Sequence, residues 1–242
     1  MLTISNFMAV AYFYFASLSR IAEEFPLNEP SSRHIVQVLR MREGQELILT
    51  DGLGLQAVAT ILEANKKNCR VRISGKKFRK PDARRVTIAL SLLKNSNRFE
   101  WFLEKATELG ISEIIPLKCS RTEKQQFRRD RMQSIVESAM LQSQQSWMPG
   151  IQEPVNFPEF IEKAVADQKF IAHCEKEEKR ELSEMINPAL SSQLIVIGPE
   201  GDFTEEEIRL AIQSGFIAVG LGEHRLRSET AAVASAALLK LR

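Results

Sequence analysis

Apolar positions fall in short, alternating runs over roughly the first 75 residues and in longer runs after that. "AYFYF", "QELILTD", "LQAVATIL" and "CRVRIS" are separated by the turn signals "DGLG" and "EANKKN", a pattern of short strands. One stretch departs from it. "EPSSRHIVQVLRM" predicts a helical turn in which Ser31 or Ser32 caps the first amides, with Arg33 and Arg40, seven apart, sharing one face. Several short strands around one helix predict a small barrel over residues 1–75.

From residue 86 the periodicity changes. "VTIALSLL", "SEIIPL", "KFIAHC", "QLIVIG" and "IAVGLG" are nearly continuous apolar runs, as in strands buried on both faces. Helical patterns lie between them. Phe99, Phe102, Leu103, Ala106 and Leu109 make one stripe, which Gly110 closes. Met132, Ile135, Val136, Ala139 and Met140 make a second, and "FPEFIEKAVA", "TEEEIRLAIQSG" and "ETAAVASAALLKL" complete the set. Alternating strands and helices predict an α/β domain over 86–242, with a mostly parallel sheet covered on both faces. The basic stretch "GKKFRKPDARR", with a Gly and a Pro, predicts a linker over 76–85.

Charge sharpens this division. The net charge is +2 over 242 residues. Residues 1–85 hold 14 Lys/Arg against 8 Asp/Glu, so +6, and the remainder is −4. A basic front end suits a polyanion, or else is a solvated surface. Cys69, Cys119 and Cys174 are far apart and odd in number, which argues against a disulfide framework or zinc site and for a cytoplasmic location. "FMAVAYFYFASL" (7–18) is too short to span a bilayer and no basic residue precedes it, so a strand is expected there. Either Met1 or Met8 is a credible start.

Ligands of open α/β sheets sit beyond the carboxyl ends of strands. Three such ends stand out: "AHCEKEE" (172–178), "GPEGDFT" (198–204) and "GLGEHRLRSET" (220–230). Gly198 and Gly201 let a ligand approach the main chain, Thr204 and Glu207 form a capping box, and Glu200 is left without an obvious folding role. The alternative is a tight turn without a ligand. Three glutamates at the helix start argue against a phosphate, and no P-loop or dinucleotide fingerprint is present. In the last loop, Ser228 or Thr230 is expected as an N-cap and an Arg–Glu pair is the structural alternative for two more residues. The helix that follows is apolar almost all round and must be buried.

"IGPEGDFTEEE" followed by "GLGEHRLRSETAAVAS" resembles the signature of RsmE-type enzymes, SPOUT-class RNA methyltransferases that modify N3 of a uridine in bacterial 16S ribosomal RNA. "HIVQVLRMREGQEL" with "TDGLG" resembles their PUA-like domain, and "EKATELGISEIIPL" with Arg121 their central motif. The resemblance implies a C-terminal trefoil knot, a homodimer, S-adenosyl-L-methionine as cofactor, no metal, and 16S rRNA or a small-subunit particle as partner. Three departures stand out. Asp202 replaces a usual Gly. Ser228 replaces Thr. "LQSQQSWMP" has Leu141 for an acid and Gln145 for an Arg.

On this basis Arg227 is expected to stabilise the uracil oxygens and Glu229 to assist as an orienting group. Cofactor contacts map onto His173, Ile197, Gly198, Pro199, Glu200, Gly201, Leu221, Gly222, Leu226, Arg227, Ser228 and Thr230. RNA contacts map onto Arg33, His34, Arg40, Arg42, Lys76, Lys77 and Arg121. His224 reads as loop structure. A 2′-O-ribose methyltransferase of the same superfamily and a non-catalytic rRNA-binding assembly factor are the competing readings.

Overall fold

A computed structural model describes residues 10–123, 126–175 and 179–241. Both candidate start methionines lie outside them, as do residues 7–9 of the first apolar run and 176–178 of the first candidate loop. The chain divides into two units, residues 1–81 with 140–147, and 82–139 with 148–242.

The first unit is built on five strands: β1 (Tyr12–Tyr14), β2 (Glu24–Pro26), β3 (Glu46–Thr50), β4 (Leu55–Glu63) and β5 (Arg70–Phe78), ordered β1-β3-β4-β5-β2. β1 runs parallel to β3 and the other pairs are antiparallel. The sheet curls until Phe15, just past β1, meets Phe25 of β2 with ring centroids 5.0 Å apart. Leu47, Leu49, Ala59, Ile61 and Val71 fill the interior.

Helix α1 (Glu29–Arg33) is shorter than its pattern suggests. Its N-cap is Asn28, whose side chain accepts the Ser31 amide at 2.9 Å. Ser32 is buried instead, donating to Leu27 O and accepting from Cys69 N. A π-turn follows over His34–Val38, and Arg40 takes φ +54. The helix therefore does not continue, and Arg33 and Arg40 share no helical face. The expected linker is also shorter, because β5 runs through Lys76, Lys77 and Phe78.

Residues 140–147 close the unit. Gly54 N donates to Ser146 O at 2.8 Å, and Trp147 Nε1 donates to Arg79 O at 2.9 Å. The Trp147 ring lies where a Gly54 Cβ would be.

The second unit holds an all-parallel sheet. Its strands are β6 (Arg85–Ser91), β7 (Glu113–Lys118), β8 (Gly150–Ile151), β9 (Val155–Asn156), β10 (Gln168–Ala172), β11 (Arg180–Glu181), β12 (Ser192–Ile197) and β13 (Ile217–Gly220). The order is β11-β13-β10-β12-β6-β7-β8, with β9 also on β7. Helices α2 (Ser96–Glu108), α3 (Arg129–Gln142), α4 (Phe157–Lys163), α5 (Leu182–Met185), α6 (Glu205–Gln213) and α7 (Ser228–Leu241) accompany it. Strand alternation supplies two cores. Val86, Ile88, Leu90, Ile195 and Ile197 pack with the apolar stripe of α2 and with Ala232, Ala236 and Leu239 of α7. Ala89, Leu194 and Val196 pack on the other side with Phe157, Ile161, Ile208 and Ala211 of α4 and α6. α7 is thus buried, as its composition requires. Among the described residues no helix is long and apolar enough to cross a membrane.

Candidate active site

β13, β10 and β12 are neighbours in the sheet, so their carboxyl ends lie side by side. The loops beyond them, with the first turn of α7, line a cleft of about 610 Å³. That is within the range of sites for small molecules and cofactors.

The loop after β12 is fixed from three directions. Thr204 caps α6 and Glu207 completes the capping box, while Glu207 Oε1 also accepts Ser120 N at 2.8 Å. Arg121 Nη1 donates to Gly201 O at 2.8 Å and to Phe203 O at 3.1 Å. Glu200 accepts the Lys94 amide at 3.1 Å. A Cβ on Gly198 would press against Phe203 at 3.2 Å, so only glycine fits there without displacing the buried ring.

The loop after β13 is held by Glu181, whose Oε2 accepts Gly222 N at 2.8 Å. Gly222 has φ +96, and a Cβ on Gly220 would meet Glu181 Oε1 at 2.7 Å. The loop after β10 is steadied by Lys179, which donates to His173 O at 2.9 Å and Glu175 O at 2.6 Å. Cys174 lines the cleft, but burial and then Asp202 raise its thiol pKa, against the opposing pull of Arg225 and Lys179. It therefore stays protonated at neutral pH and is a poor nucleophile. Burial above all pushes Cys119 up to about 12.

α7 begins at Ser228, and Ala231 N bonds to Arg227 O at 2.8 Å. Arg227 therefore sits at the helix cap, where either Ser228 or Thr230 was expected. Arg227 lines the cleft and is exposed, and it makes no ion pair among the described residues. Glu229 is 7% exposed and does not line the cleft. It lies 3.5 Å from Arg98 Nε, so the Arg–Glu pair exists with a different arginine.

The comparisons with known proteins follow the same division of the chain. A family model described as an RNA methyltransferase domain matches residues 80–240, and one described as an RNA methyltransferase PUA domain matches 27–74. The chain is 30% identical over 224 residues to the ribosomal RNA small subunit methyltransferase E of Bacillus subtilis (strain 168), covering 87% of each.

The chain belongs to the ribosomal RNA small subunit methyltransferase E family.

Solved structures agree with this membership. A probable rRNA methyltransferase from Porphyromonas gingivalis superposes with TM-score 0.86 at 32% identity, covering 94% of this chain and 95% of that one. A methyltransferase E from Neisseria gonorrhoeae, bound to S-adenosyl methionine, gives TM-score 0.85 at 27% identity, covering 96% and 97%. The fold is the SPOUT-type parallel-sheet methyltransferase domain with an N-terminal PUA-like domain.

Within this methyltransferase, every expected cofactor position except Gly201 and Thr230 lines the cleft. Thr230 is two residues into the helix beyond Ser228. Two steps of about 100° carry it around the axis, and it is exposed elsewhere. Glu229 likewise does not line the cleft. Arg121, expected on RNA, holds the glycine loop. In the PUA-like unit, Arg33 pairs with Glu29 at 2.6 Å, His34 meets the Phe13 ring edge-on, and Lys76 donates to Leu18 O. Arg40, Arg42 and Lys77 are exposed. Glu181, Lys179 and Arg98 were missed, and Asp202 stood out only as a departure from the family pattern. The partners of Glu181, Asp202 and Arg98 lie on other loops or helices, and Lys179 turns back on its own loop, so no spacing rule marks these contacts.

Proposed function

We propose that this protein transfers the methyl group of S-adenosyl-L-methionine to N3 of a uridine in 16S ribosomal RNA. The observation that carries the reading is the glycine-lined cleft with Arg227 at its edge, exposed and without an ion pair among the described residues. The fit to the cofactor rests on the loops. Gly198, Gly220 and Gly222 bring main chain to the cleft wall, where Glu200 and Glu223 suit the cationic groups of the cofactor and Arg225 its carboxylate. When bound, the cofactor supplies an electrophilic methyl group.

The chain's own residues do the rest. The loops orient the ligand by main-chain contacts, which lowers the barrier by proximity. Arg227 offers a planar fork of donors to the uracil oxygens as negative charge develops on them. No side chain is assigned to take the N3 proton. Glu229 is buried away from the cleft, the Cys174 thiol is protonated, and Glu200 already accepts the Lys94 amide. Mass spectrometry of modified nucleosides tests the reading. A ribose methyl would favour the 2′-O enzyme, and no methyl the assembly factor.

The basic first unit supports an rRNA or small-subunit-particle partner, and three free cysteines support a cytoplasmic setting. The knot finds support in β13, which inserts between β10 and β11 instead of adding at an edge. A homodimer and the division into a PUA-like domain, a short basic connection and a methyltransferase domain complete the proposal.

Two outcomes are expected. S-adenosyl-L-methionine binds stoichiometrically in EDTA, because among the described residues no group of His, Cys, Asp and Glu could hold a metal. Calorimetry checks this, and affinity lost on chelation would refute it. RNA affinity falls steeply with salt, and neutralising Arg40, Arg42 and Lys77 together lowers the slope of log affinity against log salt by about 2 to 3. An unchanged slope would place the RNA elsewhere.

A further inference from the structure

Asp202 combines two features that glycine at this position would not. Its backbone lies at φ +64, in the left-handed region that disfavours most side chains. Each of its carboxylate oxygens also accepts a main-chain amide. Oδ2 accepts the Cys174 amide at 2.7 Å, and Oδ1 accepts the Phe203 amide at 2.8 Å, while Asp202 N closes a turn to Pro199 O at 2.9 Å. Glycine would take this φ without strain and make the same turn. The turn therefore does not explain the aspartate, whereas the bond to Cys174 does.

That bond crosses the cleft wall. Cys174 lies two residues past β10, and Asp202 lies in the loop past β12. The two strands are paired in parallel up to Ala172 and Ile197, where hydrogen bonding between them stops and the loops diverge. Asp202 and Cys174 both line the cleft. The next residue, Phe203, is wholly buried against Phe157, so one side of the strut is anchored in the core. A short, charge-assisted bond on a rigid base fixes the spacing of the two loops.

We propose that Asp202 is a positioning residue of the cofactor cleft, holding the Cys174 amide so that the loops after β10 and β12 are set before the ligand arrives. The inference rests on the cleft being the S-adenosyl-L-methionine site. Preorganised loops lose less order on binding, so the clamp acts on cofactor affinity more than on turnover.

The test uses the full chain with Asp202→Gly and Asp202→Asn. Asp202→Gly removes the strain and the clamp together. Its thermal midpoint is expected to be equal to wild type or higher, and the Cys174 amide to exchange with solvent at least about tenfold faster in ligand-free protein. Its Kd for S-adenosyl-L-methionine is expected to rise by about tenfold, the loss of one charged hydrogen bond, with kcat at saturating cofactor within about twofold. Asp202→Asn keeps one oxygen to accept the Cys174 amide and should restore most of the affinity. A merely structural residue would move the thermal midpoint and not this split. Unchanged cofactor affinity or unchanged exchange at Cys174 in Asp202→Gly would overturn the clamp. A wild-type protein that does not bind the cofactor would instead overturn the functional reading on which it rests.

Discussion

Replacing Arg227 by Ala is expected to slow single-turnover methyl transfer by about a hundred- to a thousandfold, the usual effect of losing one preorganised donor to a developing oxyanion. The backbone at Arg227 is fixed, since its carbonyl accepts the first bond of the buried helix α7. Its guanidinium is exposed and makes no ion pair among the described residues, so removing it leaves no buried partner stranded. The fold and the cofactor affinity should therefore change far less than the rate. Arg227→Lys retains the charge but loses the planar fork and should be nearly as slow. Rapid-quench measurement beside cofactor calorimetry decides the matter. A normal rate in Arg227→Ala would end the catalytic assignment.

The largest effect on stability is expected at Gly54. A Cβ there would lie 2.5 Å from Trp147 Cζ2 and 2.8 Å from Arg79 O, on a backbone at φ +98. The indole cannot step aside without breaking its bond to Arg79 O, and the Gly54 amide and carbonyl are both engaged, with Ser146 and Arg79. Overlap and backbone strain together should cost the first unit about 3 kcal/mol or more. Gly44 supplies the control. Its φ is +82, but nothing lies within 4 Å of its Cβ position. Gly44→Ala should cost only the strain, about 1 kcal/mol. Chemical denaturation of both variants separates overlap from strain, and equal losses would show that the Trp147 contact contributes nothing.

Much of the second unit was legible because its signals are local. The stripe of α2 and its glycine stop, the capping box of α6 and the apolar strands can each be read within a dozen residues. Gly110 indeed closes α2 at φ +75. The failures are of a different kind. At α1, Asn28 precedes both serines and takes the cap, and Ser32 is drawn inward by Cys69, 37 residues away. The end of β5 carries lysines without apolar alternation. Only its backbone pairing with β4, Leu55 opposite Phe78, makes it a strand. At the cleft, the three loops were marked by their glycines and by their place after apolar runs. The roles of the carboxylates that hold them were not, although Asp202 stood out as a departure. Asp202 reaches back 28 residues and Glu181 forward 41, distances over which no spacing rule operates. The partner of Glu229 was out of reach for the same reason, since Arg98 belongs to another helix.

The central pairing of the parallel sheet also governs when the cleft can exist. β6 hydrogen-bonds to β12, so Arg85 meets Ser192 and Leu90 meets Ile197. β10 finds its neighbours only in β12 and β13, which come later in the chain. During synthesis β6 and β7 can pair early, but every strand end that walls the cleft must wait for residues beyond 190. Closing such long loops before contacts repay them makes folding slow. In refolding of the full chain, the pairings that wall the cleft join residues 25 and 47 apart, whereas β6 and β12 join residues 107 apart, so the strands around the ligand site are expected to pair before they dock on β6.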